Sequence, residues 1–279
     1  MTPKSRPNTA GFRELAALNA VYNPEPPKGG VLYHYTDFSG LQGILQSHRV
    51  WATYNRVLND ASEQLHAERV MLEELERLGG ASSVKGVSFG NRRHFVACFC
   101  ESDELLSMWR AYAGNAGGYC IGLDYSQMKH SMCWPGLRIG ESHPLLAPVH
   151  YGNTPESIRS FLSAARWRHI DAETSRDLPP FFPSMIKHES FAEEREWRII
   201  ALDPPVNKMK FRSGGANIKP YVELAWLRLG EPAKLPITSI TVGPTLRSDD
   251  QPDQIIGWML EQNGYEGAPV RLSKIPFRL

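Results

Sequence analysis

Three glutamates and two arginines fall within Glu193-Glu194-Arg195-Glu196-Trp197-Arg198, and the run passes directly into Ile199-Ile200-Ala201. Trp197, Ile199 and Ala201 alternate with Arg198 and Ile200, the pattern of a β-strand. A carboxylate at the start of a strand is held rigidly at a sheet edge, where a catalytic group needs to be. On a strand Glu194, Glu196 and Arg198 share one face, and Arg195 and Trp197 share the other. Neighbouring carboxylates raise a carboxyl pKa and arginines lower it, so this run can tune acid–base groups. Most charge runs of this kind are solvated helix ends; this one is set apart by the strand that follows.

A second polar constellation is Leu32-Tyr33-His34-Tyr35-Thr36. On a strand His34 and Thr36 share one face and the two tyrosines the other. His34 suits a hydrogen bond to a sugar hydroxyl, although an isolated strand histidine more commonly has a structural partner. The third is Ser107-Met108-Trp109-Arg110-Ala111-Tyr112. There Ser107 and Arg110 share a helix face, and Arg110 can grip a phosphate or carboxylate with two prongs. Trp109 belongs with the apolar stripe. The fourth, Gly114-Asn115-Ala116-Gly117-Gly118, lets backbone N–H groups approach a ligand and equally serves as a helix-to-strand turn. His188 and Glu189 lack a second cluster at ligand spacing, so no metal site is expected.

The elements that must position these groups follow from periodicity and punctuation. Strands are expected over 31–36, 50–54, 95–100, 119–123, 148–151, 237–242 and 270–277, with a hairpin of 208–213 and 221–227 around Ser213-Gly214-Gly215. Helices are expected over 40–46, capped by Asp37 or Ser39, and over 61–78, opened by an Asp60/Glu63 capping box. Further helices are expected over 103–112, 154–174 (the longest) and 252–263. Residues 1–30 form an arm ending in Pro-Glu-Pro-Pro-Lys-Gly-Gly, and 31–279 one α+β domain with a mixed, mainly antiparallel sheet. No Walker-type loop or GxGxxG fingerprint supports the common nucleotide-binding folds.

Composition sets bounds on function. The chain has 279 residues, 42% hydrophobic and 22% charged, with a formal net charge of +1. That balance excludes a general electrostatic grip on nucleic acid as the main driver and leaves room for a local patch. The N-terminus lacks the apolar core of a signal peptide and no apolar run reaches membrane-span length. Cys98, Cys100, Cys120 and Cys133 fit no common zinc spacing and read as reduced thiols. The expectation is a cytoplasmic protein with no membrane partner.

Leu32-Tyr33-His34-Tyr35-Thr36, Leu58-Asn59-Asp60 with Ser62-Glu63, Ser107 to Tyr112, Phe191 to Arg198 and Ser273 to Phe277 occur in that order. Together they resemble a bacterial family labelled domain of unknown function 2971, over nearly all of 31–279. More distantly, the histidine-bearing strand and Glu194-x-Glu196 are similar to the ADP-ribosyltransferase superfamily, whose split β-sheet clamps NAD. That resemblance implies Glu196 and Glu194 as catalytic carboxylates, with NAD as the substrate. It places His34, Tyr35, Thr36, Ser107, Arg110 and Tyr119 around the NAD, with Ser107 or Tyr119 replacing a middle-strand motif that is not evident here. The activity implied is transfer of ADP-ribose to a protein or nucleic-acid acceptor, in a toxin or phage-defence setting. Two other readings stand beside it: an NAD glycohydrolase using the same site with water as nucleophile, and a non-catalytic ligand- or protein-binding module with a decayed site, working through 207–219. A fourth is a magnesium-dependent nucleic-acid enzyme using Glu193, Glu194 and Glu196.

Overall fold

The computed structural model describes residues 24–58, 61–79, 92–112, 117–133, 144–164, 182–214, 217–228, 231–244 and 251–276. Strand β1 (Val31–Thr36) leads through helix α1 (Phe38–Ser47) to β2 (Val50–Tyr54). Of the two expected caps, Asp37 is the one used, its carboxylate accepting from the Gly40 N–H at 2.7 Å. Helix α2 (Ala61–Gly79) precedes the central strand β3 (His94–Cys100), and α3 (Leu106–Tyr112) precedes β4 (Tyr119–Asp124). Then come α4 (Tyr125–Ser131), β5 (Met132–Cys133), β6 (Leu145–Pro148), β7 (His150–Tyr151) and α5 (Pro155–Ala164). After β8 (Ile186–Lys187), a 3₁₀ turn over Glu189–Glu194 opens β9 (Glu196–Leu202). The remainder is β10 (Lys210–Gly214), β11 (Asn217–Arg228), β12 (Glu231–Ala233), β13 (Ile237–Val242), α6 (Pro252–Gln262) and β14 (Val270–Leu272).

This is the expected α+β class with a mixed, mainly antiparallel sheet. Its main path among the described residues runs β10-β11-β2-β3-β1-β4-β13-β14, and β13–β14 is a parallel pair. Strand β9 pairs with β3 over its whole length, from His94↔Leu202 to Cys100↔Glu196. Strands β1 and β2 therefore share the other edge of β3. β2 meets it at Phe95 and Val96, and β1 meets it at Cys100. Both run antiparallel to β3 and their spans along it overlap, so they fork apart between those contacts.

Strand alternation assigns each face. Leu32, Phe95, Ala97, Phe99, Trp197, Ile199, Ile121 and Leu123 point into one large core, covered by α1, α4 and α6. On the opposite face, Val96, Ile200, Leu145 and Ala147 pack under α2 and α5. Farther along that second face, Tyr35, Cys100 and Cys120 pack under Met108 and Trp109 of α3. No described helix is long and apolar enough to cross a membrane.

Several expected boundaries move for tertiary reasons. Helix α3 starts at Leu106 rather than Asp103 because the Asp103 carboxylate accepts the Thr241 hydroxyl at 2.7 Å instead of capping. The last strand stops at Leu272, where Ser273 and Lys274 turn to bond Glu104. The strand expected over 148–151 is two, β6 and β7, in different sheets. Residues 1–23 of the arm, Asp60 of the capping box, residues 113–116 of the glycine turn and 165–174 of the longest expected helix lie outside the described residues.

Candidate functional site

The polar cluster on the second face is made by a chain reversal. Lys187 ends β8; the His188 imidazole accepts from the Ser190 N–H at 3.1 Å, opening the 3₁₀ turn. Arg195, with φ of 40°, closes it in the left-handed region, which costs a non-glycine residue about 1 kcal/mol. The reversal sets Lys187 beside Glu194 and Glu196. Its ammonium donates to Glu194 Oε2 at 2.8 Å and to Glu196 Oε2 at 3.0 Å.

Glu196, 3% exposed, is also held by its strand neighbour on the same face. Arg198 Nε donates to Oε1 at 2.7 Å and Nη2 to Oε2 at 3.1 Å, a two-pronged pair. A third Arg198 bond, from Nη1 to the Ser184 carbonyl at 2.8 Å, orients the guanidinium. The Glu196 backbone is fixed as well: its N–H donates to the Tyr151 hydroxyl at 2.6 Å, and its carbonyl accepts from Val149. Behind Arg198, Ser184 Oγ meets His94 Nδ1 at 2.8 Å and Asn55 Nδ2 at 3.2 Å.

These contacts drive the two glutamates in opposite directions. Burial alone would raise Glu196, but the charges of Arg198 and Lys187 and their hydrogen bonds outweigh it and hold the carboxyl at about 2. Glu194 is raised, because its burial exceeds what Lys187 returns. Burial would lower Lys187; Glu196 and Glu194 reverse that and keep the ammonium charged. The Tyr112 hydroxyl, at the end of α3, is raised by burial and by the charges of Cys98, Glu196 and Glu194, although the residue as a whole is 44% exposed.

The sheet divides the residues singled out by sequence. Glu194 and Glu196 come together through Lys187, on the face that also carries α3 with Ser107 and the exposed Arg110. Tyr35 is on that face but 4% exposed; its hydroxyl donates to the Ser102 carbonyl and accepts from the Leu105 N–H, both at 3.0 Å. His34, Thr36 and Tyr119 point to the opposite face, since Tyr33 pairs with Cys100 and Cys100 with Glu196, putting His34 with Phe99. The rings of His34 and Phe99 lie 5.5 Å apart.

His34 fills the fork. Its Nδ1 lies 2.8 Å from the Cys98 carbonyl, at the level where β1 and β2 diverge. A bond to a carbonyl puts the proton on Nδ1, leaving Nε2 as an acceptor in the neutral ring. Burial lowers the His34 pKa, the Cys98 bond opposes this, and the charge of Arg212 lowers it further.

Sequence reasoning missed Lys187, Tyr151 and Ser184. Lys187 carried one signal, a cation directly behind the apolar pair Met185-Ile186. A lysine buried that way requires carboxylate partners, and Glu194 and Glu196 follow within nine residues. Among the described residues no group of three or more His, Cys, Asp or Glu is placed to hold a metal ion.

Residues 108–199 match the model of a family described as a protein of unknown function, DUF2971. The match supports the resemblance over that stretch, which contains Tyr112, Tyr151, Lys187, Glu194, Glu196 and Arg198 but not β1 to β3. No curated protein and no solved structure matches the chain.

Proposed function

We propose that this chain is an NAD-dependent ADP-ribosyltransferase acting at the Glu194–Lys187–Glu196–Arg198 cluster, with a protein or nucleic acid as acceptor. The observation that carries this reading is the pair of carboxylates sharing one lysine, with pKa values pushed apart. Two carboxyl groups separated in that way suit an ionised electrostatic group and a proton acceptor. In the reaction the bond from ribose C1′ to the nicotinamide nitrogen breaks, and nicotinamide leaves with the electron pair. Glu196, fixed as an anion, stabilises the positive charge that develops on the sugar. The acceptor's nucleophile bonds to C1′ and yields its proton to Glu194. Lys187 has a second carboxylate partner, so it can release Glu196 Oε2 to a ribose hydroxyl and stay paired. Water as nucleophile converts the same steps into NAD hydrolysis.

One observation favours a different class, a non-catalytic binding module. Both Glu196 oxygens are held by cations, and His34 lies on the other face of the sheet. Incubation with NAD labelled in its adenylate half, with and without cell lysate, separates the readings. Transfer of label that falls on the order of 10² to 10³ in Glu196→Gln, assayed well below the lowered melting temperature of that variant, is the expected result. Free nicotinamide without labelled acceptor marks the hydrolase, and no NAD binding or consumption leaves the binding module.

A further inference from the structure

The hairpin of β10 and β11 concentrates the chain's positive charge. Residues 206–222 contain Lys208, Lys210, Arg212 and Lys219 and no carboxylate. With 31 basic and 30 acidic residues in all, the rest of the chain has 27 basic against 30 acidic, a net charge of −3. Cross-strand pairing sorts the side chains. Arg212 opposes Lys219 and Lys210 opposes Tyr221 on one face, where Lys210 is paired with Glu223 at 2.7 Å and Arg212 and Lys219 supply the remaining positive charge; Phe211 opposes Pro220 and Ser213 opposes Ile218, giving an apolar face.

The cationic face continues onto β2. Arg212 Nη2 donates to Thr53 Oγ1 at 3.1 Å, and its guanidinium lies 5.8 Å from the Trp51 ring centre, which in turn packs on Tyr221. The apolar face is bare: Phe211 is 65% exposed and Ile218 70%. Lysines on an edge strand often guard it against pairing with other chains. That role accounts for Lys210, yet exposed Phe211 and Ile218 work against it, making the edge more adhesive. Cations and an exposed aromatic ring on the two faces of a strand that ends the sheet among the described residues suit a strand that offers both phosphates and flat bases.

We propose that the β10–β11 hairpin binds single-stranded nucleic acid, with Lys208, Arg212 and Lys219 against phosphates and Phe211 stacked on a base. As the docking site of a transfer acceptor it rests on the reading above; as a binding surface it does not. The test is fluorescence anisotropy of the full chain with a labelled mixed-sequence 12-mer of DNA and of RNA, between 25 and 200 mM salt. Affinity should fall with salt, and the double variant Lys208→Ala/Lys219→Ala should reduce the logarithmic slope by about 1.4. Phe211→Ala should weaken binding about tenfold and leave the slope unchanged. All these residues are at the surface, so melting temperatures should not move. Absence of binding at low salt overturns the proposal. So does binding that neither variant alters, or equal binding of heparin with no loss in Phe211→Ala. Because no NAD is present, failure here leaves the catalytic reading standing, and failed catalysis leaves this one.

Discussion

On one face of β1, β3 and β9, Leu32, Phe99, Trp197 and Ile199 make an apolar layer into which His34 is fitted. On the other, Glu196 and Arg198 join Lys187 in a gap between two apolar clusters. The strands are the same and the burial is similar, but the second face carries charge that the first does without. Burying ions costs several kcal/mol each before their mutual attraction is counted, and well-packed apolar residues often do as well. The charged face is therefore hard to explain by stability alone, and a chemical task accounts for it better.

The largest break in this comparison is Arg198→Leu. It strands Glu196 with one cation and should cost about 3–5 kcal/mol in urea unfolding. Replacing Lys187, Glu194, Glu196 and Arg198 together by Met, Gln, Leu and Leu should recover most of that loss. If the quadruple variant stays as unstable as the single one, the charges are structural and the chemical explanation fails.

Acid should come next. His94 is 1% exposed, and burial lowers its pKa to about 4 from an ordinary 6.5. Unfolded chains thus bind a proton that the fold refuses, so this stability is present above pH 6.5 and lost as pH falls toward 4. Glu196, lowered to about 2, adds a second loss below its ordinary 4.5. Melting temperatures from pH 8 to 3 should show both falls, and His94→Gln should flatten only the upper one.

His34→Leu tests the apolar face. It leaves the Cys98 carbonyl without its imidazole partner in the fork, which should cost about 1–3 kcal/mol. If His34 instead touches substrate, stability holds and only NAD affinity drops. Tyr151→Phe is the smallest expected change. Loss of the acceptor for the Glu196 N–H should cost about 1 kcal/mol, read as a modest fall in the urea midpoint.

Strand identities could be read from the sequence because alternation is local. Trp197, Ile199 and Ala201 do fall on one face and Glu196, Arg198 and Ile200 on the other. The relation between His34 and Glu196 could not be read that way. It depends on β3 lying between them, and the pairing of Tyr33 with Cys100 and of Cys100 with Glu196 joins residues far apart in sequence. A shift of one residue in either register would have moved His34 to the Glu196 face. Lys187 stayed hidden for a related reason: its partners are made by a left-handed turn at Arg195, a residue type with no preference for it. Asp103 read as a helix cap because capping is a local habit, and Thr241 claimed its carboxylate from 138 positions away.

The clasp of Glu104 on Ser273 and Lys274 has a consequence for synthesis. The turn that launches α3 is tied to a segment 170 residues downstream. At about 5–20 residues per second, on the order of ten to thirty seconds of translation separate the two. Through that interval the turn has no clasp, and arrested chains ending short of Ser273 should be cut near Glu104 by proteases that spare the full chain. The turn ahead of α3 is thus fastened late, after most of the sheet has left the ribosome.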